Sequence, residues 1–345
     1  MEEIVKASVF HSKGNVKVEV VALDDPQPDE VIVDVHYCGV CGTDVHIFGG
    51  LPGSASISPP IILGHEISGT VAAVGKAVPD LSVGSLVTVN PNDMCGRCFY
   101  CRQGKSAFCL NHRAVGTTIN GGFAEKIAIR AKQVYVLDRT DPAEAALIEP
   151  LSCCVNAFRE MTPGLGDSYL IVGGGTIGLM MVQLARLSGA ATVLVAELID
   201  EKRQLATATG ADGAFNPSEI DLPSVMDAHG IRDFDKVIEC VGLPQTQAYA
   251  LEVIGKGTEV MLFGLGDPDA TVPVPPYNLF RNQAKILTSF INPDTYQQTV
   301  SLVESQRLDL KTLIAGTISL QEVGDVLADA GRRAGGKILV APQAT

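Results

Sequence analysis

At 345 residues the chain is longer than the roughly 250 to 300 that one hydrophobic core serves, so two domains are expected. A formal net charge of −13, from 26 basic and 39 acidic residues with no Lys/Arg cluster, argues against nucleic acid and anionic membranes as partners. Nine cysteines leave one unpaired in any all-disulfide scheme, and the start Met1-Glu2-Glu3-Ile4-Val5-Lys6 lacks the basic and apolar features of a secretory leader, so a reducing, cytoplasmic compartment is expected.

The first 150 residues read as short strands broken by glycine and proline. Residues 16–21 and 31–37 alternate, the second run setting Val31, Val33, Val35 and Tyr37 on one face and Ile32, Asp34, His36 and Cys38 on the other. Strand-like runs at 70–74, 85–89 and 123–129 follow, which predicts a barrel-like β domain. Asp141 before Pro142 predicts a helix start, with the helix running to Ile148. From about Gly166 strands and helices alternate: strands at 169–172, 192–196, 236–239 and 259–263, helices at 177–188 and 200–210. That order predicts a parallel sheet covered on both faces. The uncharged run 168–185 has the length of a membrane span, but its glycines at 173, 174, 175 and 178 suit a buried strand, a turn and a buried helix.

Three groups of residues carry chemistry. Cys95, Cys98, Cys101 and Cys109 fall within fifteen residues at spacings that suit one tetrahedral zinc, and a closed shell of four sulfurs supports structure rather than turnover. A ferredoxin cluster would need its fourth cysteine after three residues with a following proline, whereas here seven residues intervene and Leu110 follows. Gly173-Gly174-Gly175-Thr176-Ile177-Gly178 matches Gly-x-Gly-x-x-Gly between a strand and a helix, so Gly173, Gly175, Ile177 and Gly178 are candidate dinucleotide contacts. Glu197, nineteen residues after Gly178, is placed to accept hydrogen bonds from both ribose hydroxyls and to repel a 2′-phosphate. Leu198 follows where an arginine would help NADP, so NAD is expected over NADP. Cys41-Gly42-Thr43-Asp44-Val45-His46 and Gly64-His65-Glu66 offer borderline metal ligands in loop-like surroundings, and Glu149 stands beside Pro150 where the two proposed domains meet. Taken singly, each of these also suits a buried small side chain, a solvated turn or a helix-end carboxylate.

The run Gly64-His65-Glu66-Ile67-Ser68-Gly69-Thr70-Val71-Ala72-Ala73-Val74-Gly75 resembles the zinc signature of the zinc-dependent medium-chain alcohol dehydrogenases. The four-cysteine lobe, the glycine loop and the closing Gly335-Gly336-Lys337-Ile338-Leu339-Val340 follow in that family's order, and Glu149-Pro150-Leu151-Ser152 is similar to its polyol dehydrogenase branch. The resemblance implies an α/β chain with a GroES-like β-barrel catalytic domain over 1–151 and 287–345, carrying a structural zinc lobe at about 91–112. Between these parts, 152–286 would form a doubly wound Rossmann domain that binds NAD. It implies a catalytic zinc on Cys41, His65 and a carboxylate, either Glu66 or Glu149, in addition to the structural zinc.

The implied reaction is NAD(P)-dependent oxidation of a secondary alcohol, a polyol above all, to the ketone, with zinc acting as Lewis acid and hydride passing to the nicotinamide. Thr43 would take the released proton and pass it through the nicotinamide ribose towards His46. L-Threonine or a sugar-alcohol phosphate is the alternative substrate on the same scaffold. Cys41-Gly42-Thr43-Asp44-Val45-His46-Ile47 also resembles threonine dehydrogenases, although Ser152-Cys153-Cys154 departs from their Gly-Asn-Ala. Ile291 and Ile47 stand where animal sorbitol dehydrogenases hold the polyol with an arginine and a tyrosine, so sorbitol itself is not implied. Family habit implies a homo-oligomer, a dimer or tetramer. Cys38, Cys153, Cys154 and Cys240 sit in apolar runs and read as small buried side chains, and His11, His36, His112 and His229 lack motif support. Arg281 and Asn292 are polar residues without an assigned role.

Overall fold

The computed structural model describes residues 3–53 and 57–344. They divide into two compact units, one comprising residues up to Ser152 together with those from Ile291 onward, the other Cys153–Phe290. In the first unit the strand Glu3–Ser12 pairs antiparallel with Asn15–Leu23 and with Ile61–Ile62. The strand Glu30–Gly39 is the hub of a larger sheet, antiparallel to Glu66–Val74, Lys126–Arg130 and Lys337–Val340. Val31, Val33 and Val35 are fully buried there and pack with Ile67, Val71, Val87 and Phe123.

The expected alternation along this hub strand holds only in part. Its register with Glu66–Val74 shifts between Ile32 and Val33 and again between Val35 and Tyr37. Each irregularity moves the side-chain phase by one residue, so Ile32 is buried as well, Tyr37 is half-buried and Cys38 is fully buried. Cys38 thereby packs under the segment that carries His65. A Cβ at Gly64, which has φ +90, would stand 2.7 Å from its sulfur.

Two further expectations change. Residues 42–48 are not loop but the short helix Gly42–Phe48, with Cys41 at its N-cap and the Asp44 carboxylate returning to the Cys41 amide at 2.9 Å. Glu66 opens the strand Glu66–Val74 rather than lying in a turn. Seven residues are too few for helical periodicity to register, and only the capping pattern announces the turn. The helix expected from Asp141 to Ile148 is two: Pro142–Ala145, where Asp141 accepts from the Ala143 amide at 2.8 Å, and Ile148–Glu160.

The second unit is a six-stranded parallel sheet in the order Gly213–Phe215, Thr192–Ala196, Ser168–Val172, Lys236–Glu239, Glu259–Leu262, Lys285–Thr288. Numbered within the unit this is 3-2-1-4-5-6, the doubly wound order in which the connections reverse between the two central strands. The apolar run 168–185 forms the buried strand Ser168–Val172 and most of the helix Thr176–Leu187. Among the described residues no helix is long and apolar enough to cross a membrane.

Candidate metal centre and cofactor loop

In the first unit the ligand atoms of Cys41, His65 and Glu66 all lie within 4.8 Å of one another. The first comes from a helix N-cap and the other two from the entry to a strand, so the set is held by regular structure. Asp44, fully buried, ties it together. Its carboxylate accepts from the Cys41 amide at 2.9 Å and the Gly64 amide at 3.4 Å, and stands 3.6 Å from His65 Nδ1. Burial alone would lower the His65 pKa, but the Asp44 carboxylate and the Cys41 sulfur outweigh it and raise it well above the usual value. The pocket thus favours a cation beside a sulfur, an imidazole and a carboxylate, and His65 Nδ1 is buried without a hydrogen-bond partner. These residues fit a zinc ion.

Lys337, on the strand Lys337–Val340, donates to both Glu66 oxygens at 2.6 and 2.7 Å and to the Val40 carbonyl at 3.1 Å. Burial pushes the Lys337 ammonium down, while Glu66, with Cys41 and Glu149 behind it, raises it above the usual lysine value, so it stays charged. Glu149 is buried in the first turn of Ile148–Glu160, outside the three converging ligands.

The second cluster is the lobe. The sulfurs of Cys95, Cys98, Cys101 and Cys109 lie within 4.8 Å of one another, with Cys98 at 3.5 Å from Cys101 and 4.0 Å from Cys109. Zinc–sulfur bonds of about 2.3 Å in a tetrahedron set sulfurs roughly 3.8 Å apart, so the lobe fits zinc, while a disulfide at about 2.05 Å is a different geometry. The amides of Arg97 and Cys98 pull the Cys95 thiol down to about 6, towards the thiolate a metal needs.

In the second unit each glycine of the loop has its own reason. Gly173 has φ +104, and a Cβ on Gly178 would fall 1.9 Å from the Gly173 carbonyl, so Gly178 lets the helix meet the strand. A Cβ on Gly175 would meet nothing within 4 Å. Gly175 caps the helix Thr176–Leu187 without a side-chain cap, which leaves the first amides, Ile177 among them, open towards an anion. Glu197 accepts from the Gly174 amide at 2.7 Å and the Ile199 amide at 2.9 Å, holding its carboxylate at the loop. A dinucleotide fits this cradle.

Comparison with known proteins decides the family. The model of the alcohol dehydrogenase GroES-like domain matches residues 27–139, and that of the zinc-binding dehydrogenase matches 176–305. A D-arabinitol dehydrogenase 1 from Uromyces fabae is 30% identical over 335 residues, covering 95% of this chain and 93% of that protein. An L-threonine 3-dehydrogenase from Thermococcus kodakarensis is 33% identical over 318 residues, 91% of this chain and 90% of its own. The crystal structure of a zinc-binding dehydrogenase from Sinorhizobium meliloti 1021 bound to NADP superposes with a TM-score of 0.93 at 35% identity, covering 99% of this chain and 100% of that one. The chain belongs to the zinc-dependent medium-chain alcohol dehydrogenases.

This dehydrogenase is accordingly an oxidoreductase of a small-molecule alcohol that uses zinc and a nicotinamide cofactor, built on a GroES-like domain and a Rossmann domain. Thr43 and His46 both lie on the helix Gly42–Phe48 and are half-buried. Sequence reasoning passed over two residues that shape the centre. Asp44 was signalled by its capping distance from Cys41. Lys337 was signalled by a lysine opening the otherwise apolar strand Lys337–Val340, a position that demands a buried counter-charge.

Proposed function

We propose that this dehydrogenase oxidises a secondary hydroxyl of a polyol to the ketone, with NAD as acceptor. The observation that carries the proposal is the convergence of Cys41, His65 and Glu66, a three-ligand set that leaves a fourth position for a hydroxyl. When bound, zinc supplies the Lewis acidity that lowers the pKa of that hydroxyl, and the nicotinamide supplies the hydride acceptor. The chain's own residues position and deprotonate. Glu66 remains able to ligate while paired to Lys337, because each carboxylate oxygen carries two lone pairs; Glu149 is the other candidate carboxylate. Thr43 accepts the substrate proton and His46, three residues on and on the same helical face, releases it to solvent. Gly173, Gly175, Ile177 and Gly178 cradle the pyrophosphate and Glu197 binds the ribose. A second zinc is held by Cys95, Cys98, Cys101 and Cys109 as a structural ion.

The preference for NAD is supported by Glu197 and by Arg203, the arginine nearest to it along the chain. Its guanidinium is engaged by the carbonyls of Glu197 at 3.0 Å and Leu198 at 2.6 Å and by Asp200 at 3.0 Å, and so is not free for a 2′-phosphate. The polyol substrate is supported by the D-arabinitol dehydrogenase relative, and the L-threonine 3-dehydrogenase relative supports the second reading, oxidation of L-threonine. A homo-oligomer is supported by the edge strand Lys285–Thr288, which among the described residues pairs only with Glu259–Leu262, and by Tyr277 and Phe280 beside it, 69% and 84% exposed.

The test is NADH formation across pentitols, hexitols, diols, sugar phosphates and L-threonine, with NADP in parallel and zinc counted per chain. Polyols should lead L-threonine by at least about tenfold in kcat/KM, about 1.4 kcal/mol of transition-state binding. Inactivity on every polyol with both zinc sites filled would remove the polyol reading, and preference for L-threonine would replace it.

A further inference from the structure

We infer that Glu239 is a positioning residue for the nicotinamide cofactor: its buried carboxyl group clamps the bend 240–242, so that Val241 stands as a wall of the cofactor crevice. The inference rests on the reading of the glycine loop as the dinucleotide cradle, and adds to it a residue that acts without touching the cofactor. Glu239 ends the strand Lys236–Glu239, the neighbour of Ser168–Val172. The connections of the sheet reverse between these two strands, and a dinucleotide lies across the carboxyl ends of strands at such a point. Glu239 is fully buried. Its Oε1 accepts from the amides of Val241 and Gly242, each at 2.8 Å, and from the Thr246 hydroxyl at 2.7 Å. Its Oε2 is buried and, among the described residues, has no hydrogen-bond partner. The side chain thus spends all its hydrogen bonding on the bend and on the helix Pro244–Glu252 that follows it.

The backbone of the same residues ties three strand ends together. The Glu239 carbonyl accepts from the amides of Phe263 and Gly264 at 2.9 and 3.0 Å, and the Cys240 amide donates to the Val172 carbonyl at 2.9 Å. The bend itself is wedged on both sides. A Cβ on Gly173 would stand 2.6 Å from Val241 Cγ2, and one on Gly242, which has φ +86, would stand 2.4 Å from the Leu265 carbonyl oxygen. Val241 therefore packs against the first glycine of the cofactor loop while remaining 41% exposed. An asparagine or serine would hold such a bend with no acidic group to bury. Burying an acid whose donors are two amides and a hydroxyl, none of them a cation, is costly. A buried group left half-satisfied calls for a reason beyond folding, and the adjoining cofactor loop supplies it.

The experiment measures the Kd for NAD by fluorescence titration, well below the melting temperature, in the zinc-replete enzyme and its variants, with zinc counted per chain. Glu239→Ala should keep its zinc and bind NAD about tenfold more weakly, the effect of losing three hydrogen bonds to the bend. Glu239→Gln keeps an oxygen for the same three donors and should stay within about threefold of wild type. Val241→Ala should also weaken binding, and the double variant Glu239→Ala/Val241→Ala should bind no more weakly than the weaker single variant, because both changes remove the same wall. Glu239→Ala with a lower melting temperature and the wild-type Kd overturns the inference, since a purely structural residue behaves that way. Additive losses in the double variant overturn the route through Val241. Gly175→Ala is the control for the loop: an unchanged Kd there removes the loop reading and this inference with it, whereas a weakened Gly175→Ala beside an unaffected Glu239→Ala overturns this inference alone. If Glu239→Ala fails to fold, Thr246→Val removes one donor at a half-buried position and should raise the Kd about threefold. A folded Thr246→Val with the wild-type Kd would overturn the clamp.

Discussion

Lys337 and Glu66 are bonded through both carboxylate oxygens, at 2.6 and 2.7 Å, with side chains only 7% and 0% exposed. Removing one partner of such a pair strands a buried charge and costs about 3 to 5 kcal/mol. Lys337→Met should therefore destabilise the protein by that amount in urea unfolding. It should also lower the zinc count from two per chain to one, because Glu66 loses the contact that orients it. Lys337→Arg should recover most of the zinc. A Lys337→Met protein with wild-type stability and full zinc would show that the pair does not hold the centre.

The glycine loop allows function and packing to be separated by two single-methyl changes. Gly175→Ala meets no protein atom within 4 Å, so the variant should melt within about 1 kcal/mol of wild type while its Kd for NAD rises at least tenfold, the added methyl standing where the pyrophosphate approaches. Gly178→Ala places a Cβ 1.9 Å from the Gly173 carbonyl and should lower stability by several kcal/mol, on the order of 3. Cofactor affinity is read by fluorescence titration and stability by thermal melting. Equal NAD affinity in Gly175→Ala and wild type would place the phosphates elsewhere.

The two cysteine clusters should fail differently. Cys41→Ser should abolish turnover and leave the melting temperature within a few degrees of wild type, whereas Cys101→Ser should lose the lobe zinc and melt first, with activity lost only as the protein unfolds. Activity assays and calorimetry on metal-analysed samples check this. The reverse pattern would mean the clusters have exchanged roles.

Glu259 makes the second unit acid-sensitive. Burial raises its pKa, but bonds from Lys236 and Lys285, each at 2.8 Å, and from the Thr162 amide and hydroxyl bring it down to about 2 from 4.5. A folded value below the ordinary one stabilises the protein fully above about pH 4.5, and the contribution disappears as the pH falls from there towards 2. A shift of that size corresponds to up to about 3 kcal/mol. Glu259→Gln should be less stable than wild type at pH 7, and the gap should close as the pH drops through this window. A gap that stays constant between pH 7 and 3 would mean that protonation of Glu259 is not involved.

Much of the fold was legible because its signals are local. The strands at 192–196 and 236–239 stand where their apolar runs begin and end, and the glycine loop shows itself by spacing. The four cysteines were legible for a similar reason, since coordination by one ion constrains the number of residues between ligands. The phase of the hub strand was not, because the irregularities that bury Cys38 and leave Tyr37 half-buried depend on how a neighbouring strand pairs. The short helix after Cys41 was missed because seven residues carry no period. The part of Lys337 in the metal centre was hidden by distance: nothing near residue 337 says that its counter-charge is at 66.

That distance bears on how the enzyme is made. The contact spans 271 residues, and the whole of Cys153–Phe290 is synthesised between its two halves. While the ribosome works through that stretch, Cys41, His65 and Glu66 are already outside, but Glu66 has no ammonium beside it and the hub strand Glu30–Gly39 lacks its neighbour Lys337–Val340. The lobe cysteines, within fifteen residues of one another, can close on zinc at once. The lobe's four cysteines are thus all outside long before Glu66 gains its counter-charge, which arrives only after the cofactor unit has been synthesised.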